Sequence, residues 1–250
     1  MAMTTLPLAG KTAMVTGAAR RLGRATALAL AADGANVIVH YNRSADEAEQ
    51  TASGVRELGR DAWTLQCDLS DLNAVDAMVP WAIENAGPPD VLVNNASMFM
   101  PDHIVDVPAE RIEANVRVHA EAPLLLSRAL AVQGRPGHVV NLLDSRVVDY
   151  DREHAAYHLS KRMLLTLTRM LAMELAPLVS VNAVAPGLIL PPPGEDESYL
   201  ARLAHTNPLN RVGSAAGITR AIRFLLASEF ITGQVIYVDG GRHMKGRMYE

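Results

Sequence analysis

Short apolar runs of β character recur along this chain, each followed by a longer segment of helical periodicity, and this alternation constrains the fold more than any other feature. Thr12–Thr16, Asn36–His40, Trp63–Cys67, Val91–Asn94, Val139–Leu143, Val179–Val184 and Gln234–Val238 read as strands. Helical patterns cover Arg21–Ala32, Ala45–Leu58, Leu72–Glu84, Ala109–Val132 and Ala155–Leu175. Strands alternating with helices predict an α/β fold, a doubly wound seven-stranded parallel sheet with helices on both faces. Val91–Val93 and Val139–Leu143 are nearly continuous apolar runs, as strands covered on both faces require. The 250 residues, 49% hydrophobic and 20% charged, suffice for one such domain, and no repeat or linker divides them. Pro186–Asn207 is the one long irregular stretch; it reads as a substrate lid or as an ordinary surface loop.

Charge and cysteine usage exclude several function classes. A net charge of −4 without a long basic run argues against nucleic acid and anionic membrane partners. The lone Cys67 excludes an internal disulfide and a multi-cysteine metal site, and it reads as a small buried hydrophobe at a strand end. The start, Met1 to Leu8, lacks the basic flank and apolar run of a signal peptide, and no stretch approaches the roughly 20 apolar residues of a membrane span. A soluble, cytoplasmic protein is expected.

Thr16-Gly17-Ala18-Ala19-Arg20-Arg21-Leu22-Gly23 lies between a strand and a helix. Gly17 allows close backbone approach, Gly23 tight helix–strand packing, and the helix N-terminus offers free N–H groups to a pyrophosphate; a plain tight turn is the alternative. An NAD-selective site carries a carboxylate about 20 residues further on, at the end of the second strand. Here that end reads His40-Tyr41-Asn42-Arg43-Ser44, with no acid before Asp46. Arg43 and Ser44, joined by Arg21, are expected to surround a 2′-phosphate, which selects NADP(H). Asp68 is expected to accept from the adenine amino group or to cap a helix, a role also open to Ser70.

Tyr157 and Lys161 are spaced to share one helix face, where the ammonium would favour the phenolate and help the tyrosine shuttle a proton. A solvated i,i+4 pair is the bland alternative. Asp144 stands thirteen residues before Tyr157.

On Thr16-Gly17 through Gly23, Asn94-Asn95-Ala96, Tyr157 to Lys161 and Pro186-Gly187, the chain resembles the short-chain dehydrogenase/reductase family over nearly its whole length. The resemblance implies a Rossmann-type domain with Tyr157 as general acid/base and Lys161 binding the nicotinamide ribose while lowering the tyrosine pKa. It also implies Asn95 against the cofactor and cofactor contacts from Arg20, Leu22, Tyr41, Asn42, Leu69, Ala96, Pro186, Gly187 and Ile189. Two positions depart from the family pattern. Asp144 replaces a serine, with Ser145 beside it, and His119 replaces a helix asparagine, with Asn115 one turn earlier. His119 is either a proton relay or a structural residue.

Asp144, Arg21, the segment His40 to Ser44 and Asn95-Ala96-Ser97-Met98-Phe99 are together similar to pteridine reductases. Val238 to His243 and Gly187 to Leu190 are similar to the dihydromonapterin reductase branch. This resemblance implies that Phe99 stacks on a pterin, that Ser97 contacts cofactor phosphate or substrate, and that Gly187 and Leu188 line the substrate. Phe99 as a packed aromatic beneath the lid is the alternative. Chemistry gives Asp144 a reason: a carboxylate can engage the ring nitrogens and amino group of a pterin. An ionised Asp144 would also oppose phenolate formation, keeping Tyr157 protonated as a donor. The expected activity is NADPH-dependent reduction of a dihydropterin, with a 3-oxoacyl-type carbonyl reductase and a non-catalytic NADP(H) sensor as the other readings. No metal is expected. Leu164, Leu165, Leu167 and Leu171 exceed what one sheet face requires, and the family resemblance implies association through such helices, so a homotetramer is expected; core packing against the sheet is the alternative.

Overall fold

The computed structural model describes residues 6–149, 152–192 and 194–248. Met1–Thr5, read above for a signal peptide, and Pro193 of the stretch Pro186–Asn207 lie outside the described residues. Strands β1 (Thr12–Val15), β2 (Asn36–Tyr41), β3 (Ala62–Gln66), β4 (Val91–Asn94), β5 (Gly137–Leu142), β6 (Val179–Pro186) and β7 (Val235–Val238) form one seven-stranded sheet in the order β3-β2-β1-β4-β5-β6-β7. Every pairing is parallel, with Ala13 opposite Val37 and Val91, and Asn94 opposite Asn141.

The period of two sends alternate side chains of each strand to opposite faces. Ala13, Val15, Val37, Val39, Val91 and Val93 meet α1 (Arg21–Ala32) and α2 (Ala45–Glu57) through Ala27, Leu30, Ala52 and Val55. Met14, Ile38 and Leu92 point the other way. They pack against α3 (Leu72–Asp76), α4 (Met78–Ala86), and later helices through Val75, Met78, Leu126 and Leu171. The expected fold class is therefore the observed one.

Three expected elements differ. The helix expected over Leu72–Glu84 breaks at Ala77, because Pro80 has no N–H for the Asp76 carbonyl and its ring crowds that turn. The helix expected over Ala109–Val132 is α5 (Ala109–Val116), a π turn (Arg117–Glu121) and α6 (Ala122–Val132). Pro123 cannot donate to the His119 carbonyl, and Ala122 N–H bonds Arg117 C=O instead, widening the turn that carries His119. The stretch expected to be irregular contains α8 (Glu197–Leu203), whose first turn is capped by the Asp196 side chain on Ser198 N–H.

After Asp144, a short 3₁₀ turn (Ser145–Val148) leads towards α7 (Ala155–Glu174). Beyond α8, α9 (Ala215–Leu226) and α10 (Arg242–Met248) had no counterpart in the sequence reading. Leu164 and Leu171, read as interface positions, are buried in the chain's own core; the exposed apolar face of α7 is Leu159, Met163, Met170 and Met173. Cys67 is buried and free, as expected. Among the described residues, no helix is long and apolar enough to cross a membrane, and no cluster of His, Cys, Asp and Glu could hold a metal ion.

Candidate functional site

A cleft of about 880 Å³ opens where β1, β4, β5 and β6 end. In a doubly wound sheet this is the crevice outside the carboxyl ends, beside the switch in strand order between β1 and β4. It is lined by Gly17, Leu22, Gly23, Tyr41, Asn42, Arg43, Ser44, Leu69, Ala96 and Ile189 at its cofactor end.

Backbone closeness explains the two glycines. Gly17 has φ +62°, and a Cβ on it would lie 2.9 Å from the Ala96 Cα. A Cβ on Gly23 would lie 2.0 Å from the Gly17 carbonyl oxygen. Asn95 staples this region: its Nδ2 donates to the carbonyls of Thr16 (2.8 Å) and Gly17 (3.2 Å). Thr16 Oγ1 accepts from the N–H groups of Asn95 and Ala96. No side chain caps α1, so its first N–H groups are open to an anion. With no carboxylate at the end of β2, these residues fit a dinucleotide carrying a 2′-phosphate.

Arg21 and Arg43 both line the cleft, each engaged differently. Arg43 stays at the end of β2, where its charge adds to the Ser70 hydrogen bonds that hold the Asp68 carboxyl below the usual range. Arg21, at φ +55°, donates to the Pro191 carbonyl of the loop that follows β6. Arg20 pairs with Glu47 at 3.4 Å. Asp68 accepts from Ser70 N–H and Oγ–H rather than capping α3; Asp71 is the cap.

The sequence reading missed His40. Its Nδ1 accepts the Gly17 N–H at 3.0 Å and its Nε2–H donates to the Cys67 carbonyl at 3.1 Å. Burial lowers its pKa to about 4, so it is neutral.

At the catalytic end, Tyr157 donates its hydroxyl to Asp144 Oδ2 at 3.1 Å. Asp144 Oδ1 accepts the Arg146 N–H at 2.7 Å, which fixes the carboxylate. Ser145 is buried away from the cleft, as the thirteen-residue spacing required. Lys161 Nζ donates to the Leu142 carbonyl at 2.6 Å and lies 5.7 Å from the Tyr157 ring centroid. Burial pulls its pKa down to about 8, partly offset by Asp144. Tyr157 is pushed well above its usual pKa, first by burial, then by the charge and hydrogen bond of Asp144. Burial and Asp144 thus outweigh the lowering expected from Lys161, in the direction of a protonated phenol.

Phe99 stacks on His154 with centroids 3.9 Å apart and meets the Tyr157 edge-on at 4.7 Å. His154 was not read as a site residue. Ser97 and Phe99 line the cleft, as do Pro186 and Gly187. A Cβ on Gly187 would lie 2.6 Å from the Asp239 Cα, so only glycine fits. Leu188, expected at the substrate, is instead buried outside the cleft lining. His119 is buried on the π turn, with Ser97, Met98 and Ser160 around its ring nitrogens. Burial, then Lys161, lowers its pKa well below the usual histidine value. Asn115 bonds only its own helix, to the Arg111 carbonyl, among the contacts described.

A family model described as enoyl-(acyl carrier protein) reductase matches residues 17–243. Versicolorin reductase stcU of Emericella nidulans is 34% identical over 94% of this chain and 96% of its own length. The 3-oxoacyl-[acyl-carrier-protein] reductase FabG of Staphylococcus aureus is 31% identical, over 94% of this chain and 98% of its own. Among solved structures, FolM alternative dihydrofolate reductase 1 from Brucella canis, complexed with NADP, superposes with a TM-score of 0.88. It is 36% identical and covers 95% of this chain and 96% of its own.

Proposed function

The chain belongs to the short-chain dehydrogenase/reductase family, and from that premise we propose that it is an NADP-dependent oxidoreductase whose substrate is a dihydropterin. The observation that carries the substrate is the Asp144 carboxylate, set against the Tyr157 hydroxyl with the Phe99 ring beside them. A dihydropterin brings a flat ring for Phe99 and N–H donors for a carboxylate. A ketone brings only an acceptor oxygen, whereas both Asp144 oxygens already act as acceptors, from the Tyr157 hydroxyl and the Arg146 N–H. The likeness to FolM alternative dihydrofolate reductase supports the same reading.

Bound in the cleft, NADPH supplies the hydride. Tyr157, held protonated by burial and Asp144, is the donor: its one hydroxyl hydrogen, on Asp144 Oδ2 in the free protein, turns to the substrate ring nitrogen, and the O–H bond breaks as that nitrogen takes the proton. Asp144 accepts the Tyr157 hydroxyl, orients it, and offers a second acceptor to the substrate. Lys161, fixed by the Leu142 carbonyl, supplies positive charge next to the phenolate left behind.

Reduction of a ketone is the second reading, favoured by the versicolorin reductase and FabG relatives. NADPH oxidation in steady state with dihydromonapterin, dihydrobiopterin, dihydrofolate and a 3-oxoacyl thioester separates the two. A kcat/KM at least about tenfold higher for a dihydropterin is expected; turnover of the thioester alone would overturn the assignment. Assembly is read as a homotetramer, supported by the exposed Leu159, Met163 and Met170 on α7.

A further inference from the structure

We infer that His119 fixes the hydrogen-bond polarity of Ser97, so that Ser97 presents only acceptor lone pairs to the cleft. Two groups with no choice set the orientation. The Met98 backbone N–H can only donate, and it lies 3.1 Å from His119 Nε2, so that nitrogen carries no hydrogen. Ser97 Oγ lies 3.1 Å from the same bare nitrogen, so its hydroxyl hydrogen shares that one lone pair with the Met98 N–H, the opposite orientation setting lone pair against lone pair. At the other end, the Tyr157 carbonyl can only accept, and Ser160 Oγ donates to it at 2.7 Å. The remaining hydrogen sits on His119 Nδ1 and goes to Ser160 Oγ at 2.8 Å.

Donation therefore runs one way, from Ser97 to His119 to Ser160 to the backbone of Tyr157. The other neutral tautomer, or an imidazolium, would set an Nε2–H against the Met98 N–H. The depressed basicity of buried His119 agrees with the neutral form. His119 is accordingly a positioning residue: it makes none of the described hydrogen bonds to the Tyr157 hydroxyl or to Lys161. The π turn created by Pro123 seats it between the Ser97 loop and α7.

Ser97 is exposed and lines the cleft. Its hydrogen being committed to His119, it offers a substrate what Asp144 offers, an acceptor. The substrate selected presents N–H donors. This consequence rests on the dihydropterin reading; the polarity of Ser97 does not.

Neutron diffraction from deuterium-exchanged crystals of the intact protein reads the polarity directly. Deuterium on Nδ1 of His119, none on Nε2, and a Ser97 deuteroxyl aimed at Nε2 is the expected map. Deuterium on Nε2 overturns the inference. Kinetics of Ser97→Ala read the consequence with NADPH as reductant. The kcat/KM for dihydrobiopterin should fall about tenfold or more, while that for a 3-oxoacyl thioester changes by less than about threefold. An equal or larger loss on the thioester contradicts the acceptor role, because a ketone can use Ser97 only as a donor. A wild type that reduces no pterin sinks the functional reading, and the neutron map still decides the polarity.

Discussion

His40 takes the Gly17 N–H on one ring nitrogen and gives its hydrogen to the Cys67 carbonyl with the other, tying the cofactor turn to the end of β3. Only the neutral ring can do both. Its pKa, lowered to about 4 by burial, lies below the value of the unfolded chain, so the unfolded chain binds the proton first as pH falls. The resulting stability is complete above about pH 6.5 and is lost as pH drops towards 4, amounting to about 3 kcal/mol. Urea titrations across that window should show the wild-type midpoint falling with pH and His40→Gln showing a visibly shallower fall; parallel curves would contradict this role. The sequence displayed His40 within a cofactor-binding segment but could not separate a buried ring from its cleft-facing neighbours. Asp144, Tyr157 and Lys161 were legible, because helix spacing and the distance to Asp144 carry their geometry. The outcome for Tyr157 was not, since burial had to be known before it could be weighed against the Lys161 charge.

At the scale of elements, periodicity located the strands and most helices but not their interruptions. Pro80 and Pro123 stand in plain view, and each removes an N–H that a continuous helix needs. The consequence at Pro123 is the π turn that turns His119 towards Ser97. Helix α9 was overlooked although Ile218, Ile222, Leu225 and Leu226 follow helical spacing behind the Ser214 cap. The loop after β6 offers a test of its own. Arg21 holds the Pro191 carbonyl while its backbone sits in the left-handed region. Arg21→Gly accepts that backbone without steric cost and removes the clasp, so limited proteolysis within residues 190–196 should quicken about 3- to 10-fold. Unchanged cleavage would show that Arg21 does not hold this loop.

For the molecule as a whole, the alternation of strands and helices sufficed to foresee the parallel sheet, and the strand order explains why its parts meet. Placing β1 beside β4 opens the crevice in which the glycine turn, Asn95 and the Tyr157 helix converge. For Leu164 and Leu171 the core alternative holds, since the helix period alone does not tell a core stripe from an interface stripe. The exposed residues now name the variant. Met170, 55% exposed, should be central to an α7 contact. Light scattering should find a tetramer for the wild type and smaller species for Met170→Glu, and a wild-type monomer would contradict the assembly. The account depends most on the Asp144 carboxylate beside the Tyr157 hydroxyl. Its most direct test is the ratio of kcat/KM for dihydrobiopterin to that for a 3-oxoacyl thioester, with NADPH, in wild type and Asp144→Ser. The ratio should fall by about a hundredfold or more, mainly through lost pterin turnover, whereas an unchanged ratio would contradict the proton route through Asp144 and Tyr157.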